Sequence, residues 1–591
     1  MLKKSNNIQQ WFVGFVRRVP FISSLLSIIL FLYDIGFEHH APGFESFKVF
    51  YIATVIFGAI AMLMRYFYRK SRPRLAILPF ELALFLFFVL LVLYHFNIPL
   101  LRPLLILKHS FWLHIAIFLV FIREVSTIIV DYKRTILNPA QLFVLSFLLI
   151  TVIGGFLLML PNATHNGISL LDAMFTSTSA VCVTGLVVVD TGSYFTEFGQ
   201  IVIAILIQLG GIGIMTFASY FSYFFRGVSS FENQLVLREM TNTEKFGEVF
   251  SILKKIILVT FIIEVIGALL IFQSLDITLF QSLYDRVFFS AFHAISGFCN
   301  AGFSTLQNSF YEAPYQFNYS IHLIIAMLII FGGLGFPIVF NLMKYIQLKT
   351  KSLVLSLFRV KHIKPNAWVL NINTRIVIMT TLILIVSGTF LFFVFEYDNT
   401  LSVHSLGGKI VTAFFEAVTT RTAGFNTVDT ASITTPTLLI VIFLMWVGAS
   451  PGSTGGGIKT SSLALAILNI ISIAKGKSRL EIFNREVSQN SVNRAFAVMI
   501  LSIFAISISI LSISFFDSDK GFLNISFECV SAYSTVGLSR GITADLTSAS
   551  KIVLIFTMFI GRVSMLTLLI AVFKKIGSER YRYPSENILI N

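Results

Sequence analysis

FTSTSAVCVTGL, residues Phe175 to Leu186, returns three more times along the chain in altered form. FHAISGFCNAGF runs from Phe292 to Phe303, FFEAVTTRTAGF from Phe414 to Phe425, and FECVSAYSTVGL from Phe527 to Leu538. In each, nine residues separate the leading phenylalanine from a glycine (Gly185, Gly302, Gly424 or Gly537), and a large apolar residue follows. Successive glycines stand 117, 122 and 113 residues apart. One Phe-x9-Gly is no more than the small-residue packing common between membrane helices. Four at near-equal spacing make an internal repeat, the pattern to be sought before any other.

The flanks of each segment are strongly apolar. Long runs at about 140–160, 252–274, 374–396 and 494–516 precede the segments, and runs at 199–225, 320–346, 436–474 and 549–575 follow them. Four further runs, at 20–36, 47–66, 76–97 and 109–130, come first. The whole chain of 591 residues is 56% hydrophobic and 12% charged, with a mean hydropathy of +0.84. A run of about 20 apolar residues is what a helix needs to cross a bilayer. The fold class is therefore all-α integral membrane, with an N-terminal module of about four transmembrane helices (1–135) and four repeats (136–240, 241–360, 361–485 and 486–591).

The net charge of +15 would raise the question of nucleic acid in a soluble protein. Here the basic residues cluster between apolar runs: Arg65, Arg69, Lys70, Arg72 and Arg74, then Lys344, Lys349, Lys351, Arg359, Lys361 and Lys364, then Lys475, Lys477, Arg479 and Arg485. That is the positive-inside pattern. It excludes a nucleic-acid partner and sets a multi-pass protein in the cell (plasma or inner) membrane, lipid its surroundings, with both termini cytoplasmic. Lys3 and Lys4 open the chain without a signal-cleavage pattern, so the first apolar run reads as a retained helix. Cys182, Cys299 and Cys529 lie in or beside the repeated segments and imply no disulfide framework, only small packing residues.

Every repeat then begins and ends inside, so the semi-polar segments enter and leave from outside. Irregular backbone at membrane depth is tolerated only where it is buried in protein or lines a water-filled cavity. Rings of backbone carbonyls can replace the hydration shell of a passing cation. Glycine reaches the dihedrals that turn carbonyls to one axis without steric cost. Half-helices ahead of the glycines would aim their negative ends at the same cavity.

With TSAVCVTGL, LIQLGGIGIMT (Leu206 to Thr216) and MWVGASPGSTGGGIKTSS (Met445 to Ser462), the chain from residue 138 onward resembles the membrane subunit of the Trk/Ktr/HKT superfamily of potassium transporters, the Ktr branch above all. The resemblance covers about three quarters of the chain. It implies four non-identical membrane-pore-membrane repeats with pseudo-fourfold symmetry around one pore, a homodimer, and a separate cytoplasmic nucleotide-binding regulatory ring. Potassium would be held by backbone carbonyls of Val183, Thr184 and Gly185; Asn300, Ala301 and Gly302; Thr422, Ala423 and Gly424; and Thr535, Val536 and Gly537. In the plant branch of that superfamily a serine at the first of these glycine positions goes with sodium preference, so by the same resemblance Gly185 implies potassium over sodium, with sodium possible as a coupling or regulatory ion and no cofactor in this chain. With one glycine per segment, the expectation is fewer tight sites and looser selectivity than a fuller filter motif gives. Uptake into potassium-depleted cells with no preference for potassium over sodium would count against any such selectivity.

GASPGSTGGG, residues 448–457, places five glycines and a proline in ten positions, which cannot propagate a helix. By resemblance this loop lies beneath the filter and gates it; the gate residues are Gly448, Ser450, Gly452, Ser453, Thr454, Gly455, Gly456, Gly457 and Lys459, with Arg562. A phosphate-binding P-loop is excluded, because Ile458 separates Gly457 from Lys459 and no soluble strand precedes. Arg562, in FIGRVSML, is an intramembrane charge that costs about 2.5–3.5 kcal/mol to insert and calls for a partner in the bundle; the expected partners are carbonyls of the 448–457 loop. The alternative is that Arg562 snorkels toward the helix end, near Lys574. Glu264, within TFIIEVIG, reads as a buried hydrogen-bonding group, with a functional intramembrane carboxylate as the alternative. Asp190, Glu197 and Asp429 follow filter glycines and either enrich cations at the outer mouth or form a solvated face.

The first four helices do not form a voltage sensor, which needs regularly spaced arginines on its fourth helix; this one offers Arg102, Lys108 and Arg123. Packing around the pore or a dimer interface is the remaining reading. Three classes compete: a potassium uptake subunit, a poorly selective monovalent cation channel, and an intramembrane enzyme. The third lacks any metal-spaced histidine cluster, since His39 and His40 share a short loop and no HExxH occurs.

Overall fold

The computed structural model describes residues 2–37, 44–67, 78–96, 110–127, 139–226, 249–357, 370–477 and 479–573. His39, His40, Arg102, Lys108, Lys133, Arg134, Arg238, Lys245, Arg359, Lys361, Lys364, Lys574 and the basic residues at 69–74 lie outside them. The chain divides into two compact units, one built on residues 1–133 with 160–162 and 224–227, and one on the remainder.

In the first unit, helices α1 (Leu2–Gly36), α2 (Phe44–Phe67), α3 (Leu78–His95) and α4 (Ser110–Thr127) pack on one another. Tyr51, Phe88, Leu91, Leu113 and Ile117 form their core. Ser27 and Thr54 share a buried hydrogen bond of 2.8 Å between α1 and α2, a polar tie of the kind that substitutes for hydrophobic drive in lipid. Arg123 pairs with its neighbour Glu124 at 3.2 Å.

The second unit repeats a three-part theme. A long apolar helix comes first: α5 (Pro139–Leu158), α8 (Val249–Ser274), α12 (Ile372–Glu396) or α16 (Gln489–Phe516). A short helix follows: α6 (Leu170–Val181), α9 (Leu283–Cys299), α13 (Leu406–Thr419) or α17 (Phe522–Ser534). The short helices have 12, 17, 14 and 13 residues. At about 1.5 Å per residue all four fall short of the roughly 30 Å hydrocarbon core. Their starts are written locally, since Ser169, Ser282 and Ser405 accept from the amides of Asp172, Asp285 and Gly408, and Asp285 completes a capping box.

The closing helices differ. In the first repeat α7 (Glu197–Arg226) is continuous. In the second, α10 (Tyr319–Leu334) and α11 (Phe336–Leu357) bend by 103° at Gly335, and in the fourth α18 (Ser548–Val563) and α19 (Met565–Val572) bend by 88° at Ser564. In the third, α14 (Thr435–Trp446) and α15 (Thr460–Ala474) are separated by the glycine-rich loop. Within the apolar runs at 320–346 and 549–575 the helix thus breaks, at Gly335 and at Ser564. Gly335 (φ 85°, ψ 142°) and Ser564 (φ 74°, ψ 129°) adopt nearly the same non-helical backbone, and no α-helix continues through it. Among the described residues five helices are long and apolar enough to cross a membrane, or seven if each bent pair is one span. Among the described residues a short hairpin, Glu481–Ile482 against Arg485–Glu486, and two isolated bridges, Thr164 with Phe195 and Val447 with Ile458, are the departures from helix and loop.

Phe175, Phe292 and Phe527 are buried in the unit's core. In the third repeat the fully buried ring belongs to Phe415, while Phe414 is half-buried against the same cluster. The spacing rule thus picked the outer of two adjacent phenylalanines.

Candidate ion pathway

The short helices end where the repeated motif begins to turn. Val183, Asn300, Thr422 and Thr535 have φ of 56°, 61°, 67° and 53°, and Gly185, Gly302, Gly424 and Gly537 have φ of 91°, 69°, 81° and 94°. The residues between them, Thr184, Ala301, Ala423 and Val536, are not left-handed. Every segment therefore alternates hand over three residues, which brings successive carbonyls toward one side. Asparagine visits this region readily; valine and threonine do not, and each such residue costs roughly 1–3 kcal/mol that its surroundings must hold in place.

The four segments close on one another in chain order. A Cβ on Gly185 would strike the carbonyl of Ala301 and stand 3.2 Å from the Cα of Gly302. One on Gly302 would meet Ala423 O and the Gly424 Cα, one on Gly424 would meet Val536 O and the Gly537 Cα, and one on Gly537 would meet Thr184 O and the Gly185 Cα. The carbonyls preceding the glycines thus each abut the glycine of the neighbouring segment. All four glycines line a single cavity of about 520 Å³. Asp190, Asp429 and Arg540 are its charged lining residues, whereas Glu197 is not part of the lining and instead accepts a hydrogen bond from the Tyr284 hydroxyl.

Polar side chains on the short helices hold this backbone from behind. Ser179 and Ser531 accept from the amides of Gly185 and Gly537, each at 3.1 Å, and Ser296 and Thr419 donate to the carbonyls of Phe303 and Phe425 at 2.7 and 2.6 Å. Glu416 takes both the amide and the hydroxyl of Thr427 at 2.8 Å; Glu528 takes the Arg540 amide at 3.0 Å and the Ser539 hydroxyl at 2.6 Å. His293 reaches Ser304 at 2.9 Å. Sequence reasoning passed over these residues, although a carboxylate inside an otherwise apolar segment is itself a signal. It also missed Gly210, Gly332 and Gly561, where a side chain would collide with the carbonyls of Val181, Phe298 and Tyr533, each four residues ahead of one of the repeated glycines.

The glycine-rich loop presses against the same segments. A Cβ on Gly455 would meet the Thr422 side chain, and one on Gly456 the Thr535 side chain. Gly456 N donates to Thr535 Oγ1 at 3.1 Å, and Thr454 Oγ1 lies 3.1 Å from Asn300 Oδ1. The loop is anchored at its sides: Ser450 N donates to Gly333 O at 3.0 Å, Phe336 N to Gly452 O at 3.0 Å, and Ser453 Oγ to Ser450 O at 2.6 Å. Gly448 lies so close to Gly456 and Gly457 that neither strand of the loop has room for a side chain there. Lys459 Nζ caps Gly455 O at 2.7 Å. Arg562 is buried rather than snorkelling; its Nη1 donates to Thr454 O and its Nη2 to Gly210 O at 2.7 Å. Thr535→Val keeps the shape and removes the acceptor for Gly456 N. At about 1 kcal/mol for such a bond, cation leak through the chain is expected to rise roughly fivefold, and liposome flux checks it; an unchanged leak would mean that this bond does not hold the loop.

Glu264 is buried on α8 and accepts from Gln208 Nε2 at 3.1 Å. Cys299 directs its thiol at Gln208 Oε1, 3.5 Å away, so this cysteine joins a polar contact rather than only filling space. All three cysteines are free and buried.

Broken helices, half-helices and a cavity lined by the four repeated glycines define a membrane transport protein rather than an enzyme. The chain belongs to the TrkH family of cation transport proteins, which matches residues 109–583. It is 36% identical over 453 residues to the Ktr system potassium uptake protein B of Bacillus subtilis, covering 76% of this chain and 96% of that one. It is 34% identical over 474 residues to the potassium/sodium uptake protein NtpJ of Enterococcus hirae, covering 78% and 100%. The solved potassium transporter TrkH from Vibrio parahaemolyticus has the same fold, with a TM-score of 0.59 at 16% identity over 95% of this chain and 98% of that one.

Proposed function

We propose that this chain is the ion-translocating membrane subunit of a potassium uptake system, with potassium passing through one filter built by the four repeats 136–240, 241–360, 361–485 and 486–591. The observation that carries the reading is the closed succession of glycines and carbonyls, Gly185 to Gly302 to Gly424 to Gly537 and back, at the floor of one cavity. Carbonyls so placed replace water around a cation and offer an anion nothing. The names of the relatives from Bacillus and Enterococcus support potassium as the ion, and the second supports sodium as a coupled or regulatory ion.

The loop at 448–457, clamped by Arg562 and Lys459, serves as the gate. The resemblance supports a homodimer on a separate cytoplasmic nucleotide-binding ring, and the basic stretches between helices support cytoplasmic termini. Purified chain in liposomes, under a potassium or a sodium gradient and with or without a candidate ring protein, tests the reading. Potassium flux is expected to exceed sodium flux and to respond to the ring; flux no greater than in empty liposomes would overturn it, and equal fluxes would favour a poorly selective cation channel.

A further inference from the structure

The outer cavity, which the pathway reading makes the entrance for cations, contains a feature that such an entrance does not need. Its charged lining consists of two carboxylates, Asp190 and Asp429, and one guanidinium, Arg540, three residues beyond Gly537. We propose that Arg540 is a fixed countercharge in the vestibule that sets the apparent affinity for the entering cation and makes that affinity depend on ionic strength. The proposal rests on the cation pathway set out above.

The guanidinium is pinned in place. Nη1 donates to Asn524 Oδ1 at 2.7 Å and Nη2 to Ala431 O at 2.7 Å. Both acceptors are neutral, so these bonds orient the charge without cancelling it. The nearby carboxylate of Glu528 interacts electrostatically with Arg540 but accepts its hydrogen bonds from the Arg540 backbone amide, Ser539 and Thr543; it is fully buried and is not part of the cavity lining. Asp190 and Asp429 are also held at fixed places, by Ser193 N at 2.7 Å and Ala431 N at 3.0 Å. The lining therefore carries a formal charge of −1 with Arg540 and would carry −2 without it. In a cleft with low-dielectric walls such a difference is focused onto the ion that enters.

The sign of the effect follows. Removing the positive charge raises the local cation concentration and lowers the potassium KM; removing an aspartate does the reverse. One unit charge across several ångströms of aqueous vestibule gives about a two- to fivefold change at low ionic strength, and salt near 1 M, with a Debye length of about 3 Å, erases most of it. Because Arg540 also ties the Ala431 loop to α17, a purely structural role has to be separated from an electrostatic one.

The experiment measures potassium KM in liposomes holding the full chain, at low and at high ionic strength, for wild type, Arg540→Gln, Arg540→Lys and Asp429→Asn. The expected result is a KM lowered about two- to fivefold in Arg540→Gln at low salt, raised in Asp429→Asn, near wild type in Arg540→Lys, and convergent at high salt. A KM unaltered in Arg540→Gln at low salt, or altered alike in Arg540→Gln and Arg540→Lys and insensitive to salt, overturns the proposal. If Arg540→Gln does not fold, Asp429→Asn decides the matter by the opposite sign. Wild-type chain with no cation flux at all would overturn the pathway reading itself, which is a distinguishable outcome.

Discussion

Gly424→Ala is expected to abolish potassium flux while leaving the chain folded. At φ 81° an added Cβ would point at the carbonyl of Val536, 3.1 Å from the Cα of Gly537 and 3.3 Å from that of Gly302. These neighbours are backbone, which cannot swing aside as a side-chain tip does. An L-residue in the left-handed region costs roughly 1–2 kcal/mol before the collision is counted. The local alternative is a change of dihedral at 424, which turns the Ala423 carbonyl away from its neighbours. Each 1.4 kcal/mol is about tenfold in rate, so a loss of about 3 kcal/mol on displacing one carbonyl set lowers flux about a hundredfold. Flux by Gly424→Ala in liposomes, with elution on size exclusion as the folding check, measures it. Wild-type flux from this variant would show that position 424 does not line the pathway.

Arg562→Gln is expected to act in the other direction. The guanidinium joins Thr454 O of the glycine-rich loop to Gly210 O of α7, and this loop meets Asn300, Thr422 and Thr535. Charge-assisted hydrogen bonds are worth about 1.5–3 kcal/mol each. Losing one of them shifts the balance of closed and open loop by roughly 10- to 150-fold, so potassium flux without any ring protein is expected to rise steeply. Arg562→Lys keeps the charge but not the two-pronged reach, and is expected to fall between wild type and Arg562→Gln. If Arg562→Lys matches wild type while Arg562→Gln leaks, the charge acts on the ion rather than on the loop. If basal flux is unchanged in both, Arg562 does not hold the gate.

Much of the fold was legible because lipid imposes simple demands. Apolar runs long enough to span the bilayer, and semi-polar runs too short to do so, left few arrangements open once the four Phe-x9-Gly segments had been aligned. What escaped was set by tertiary contact. Val183, Thr422 and Thr535 are β-branched, and nothing in their type announces a left-handed backbone; only Asn300 among the four positions is a residue that favours it. Gly335 could have been read as a break, but Ser564 takes up the same bend without any glycine to mark it. At 414 and 415 the spacing selected Phe414, whereas the ring that packing buries fully is its neighbour Phe415. Glu416 and Glu528 were visible in the motif, yet their partners, Thr427 and the Ser539–Arg540 turn, lie 11 and 12 residues onward and are reached only after the segment has turned back.

The most direct test of a single four-repeat filter is the position of a bound ion. A structure of the chain determined with thallium or rubidium in place of potassium is expected to show density on the axis between the carbonyls of Thr184, Ala301, Ala423 and Val536. Density only elsewhere, in a preparation that transports the same ion, would contradict it.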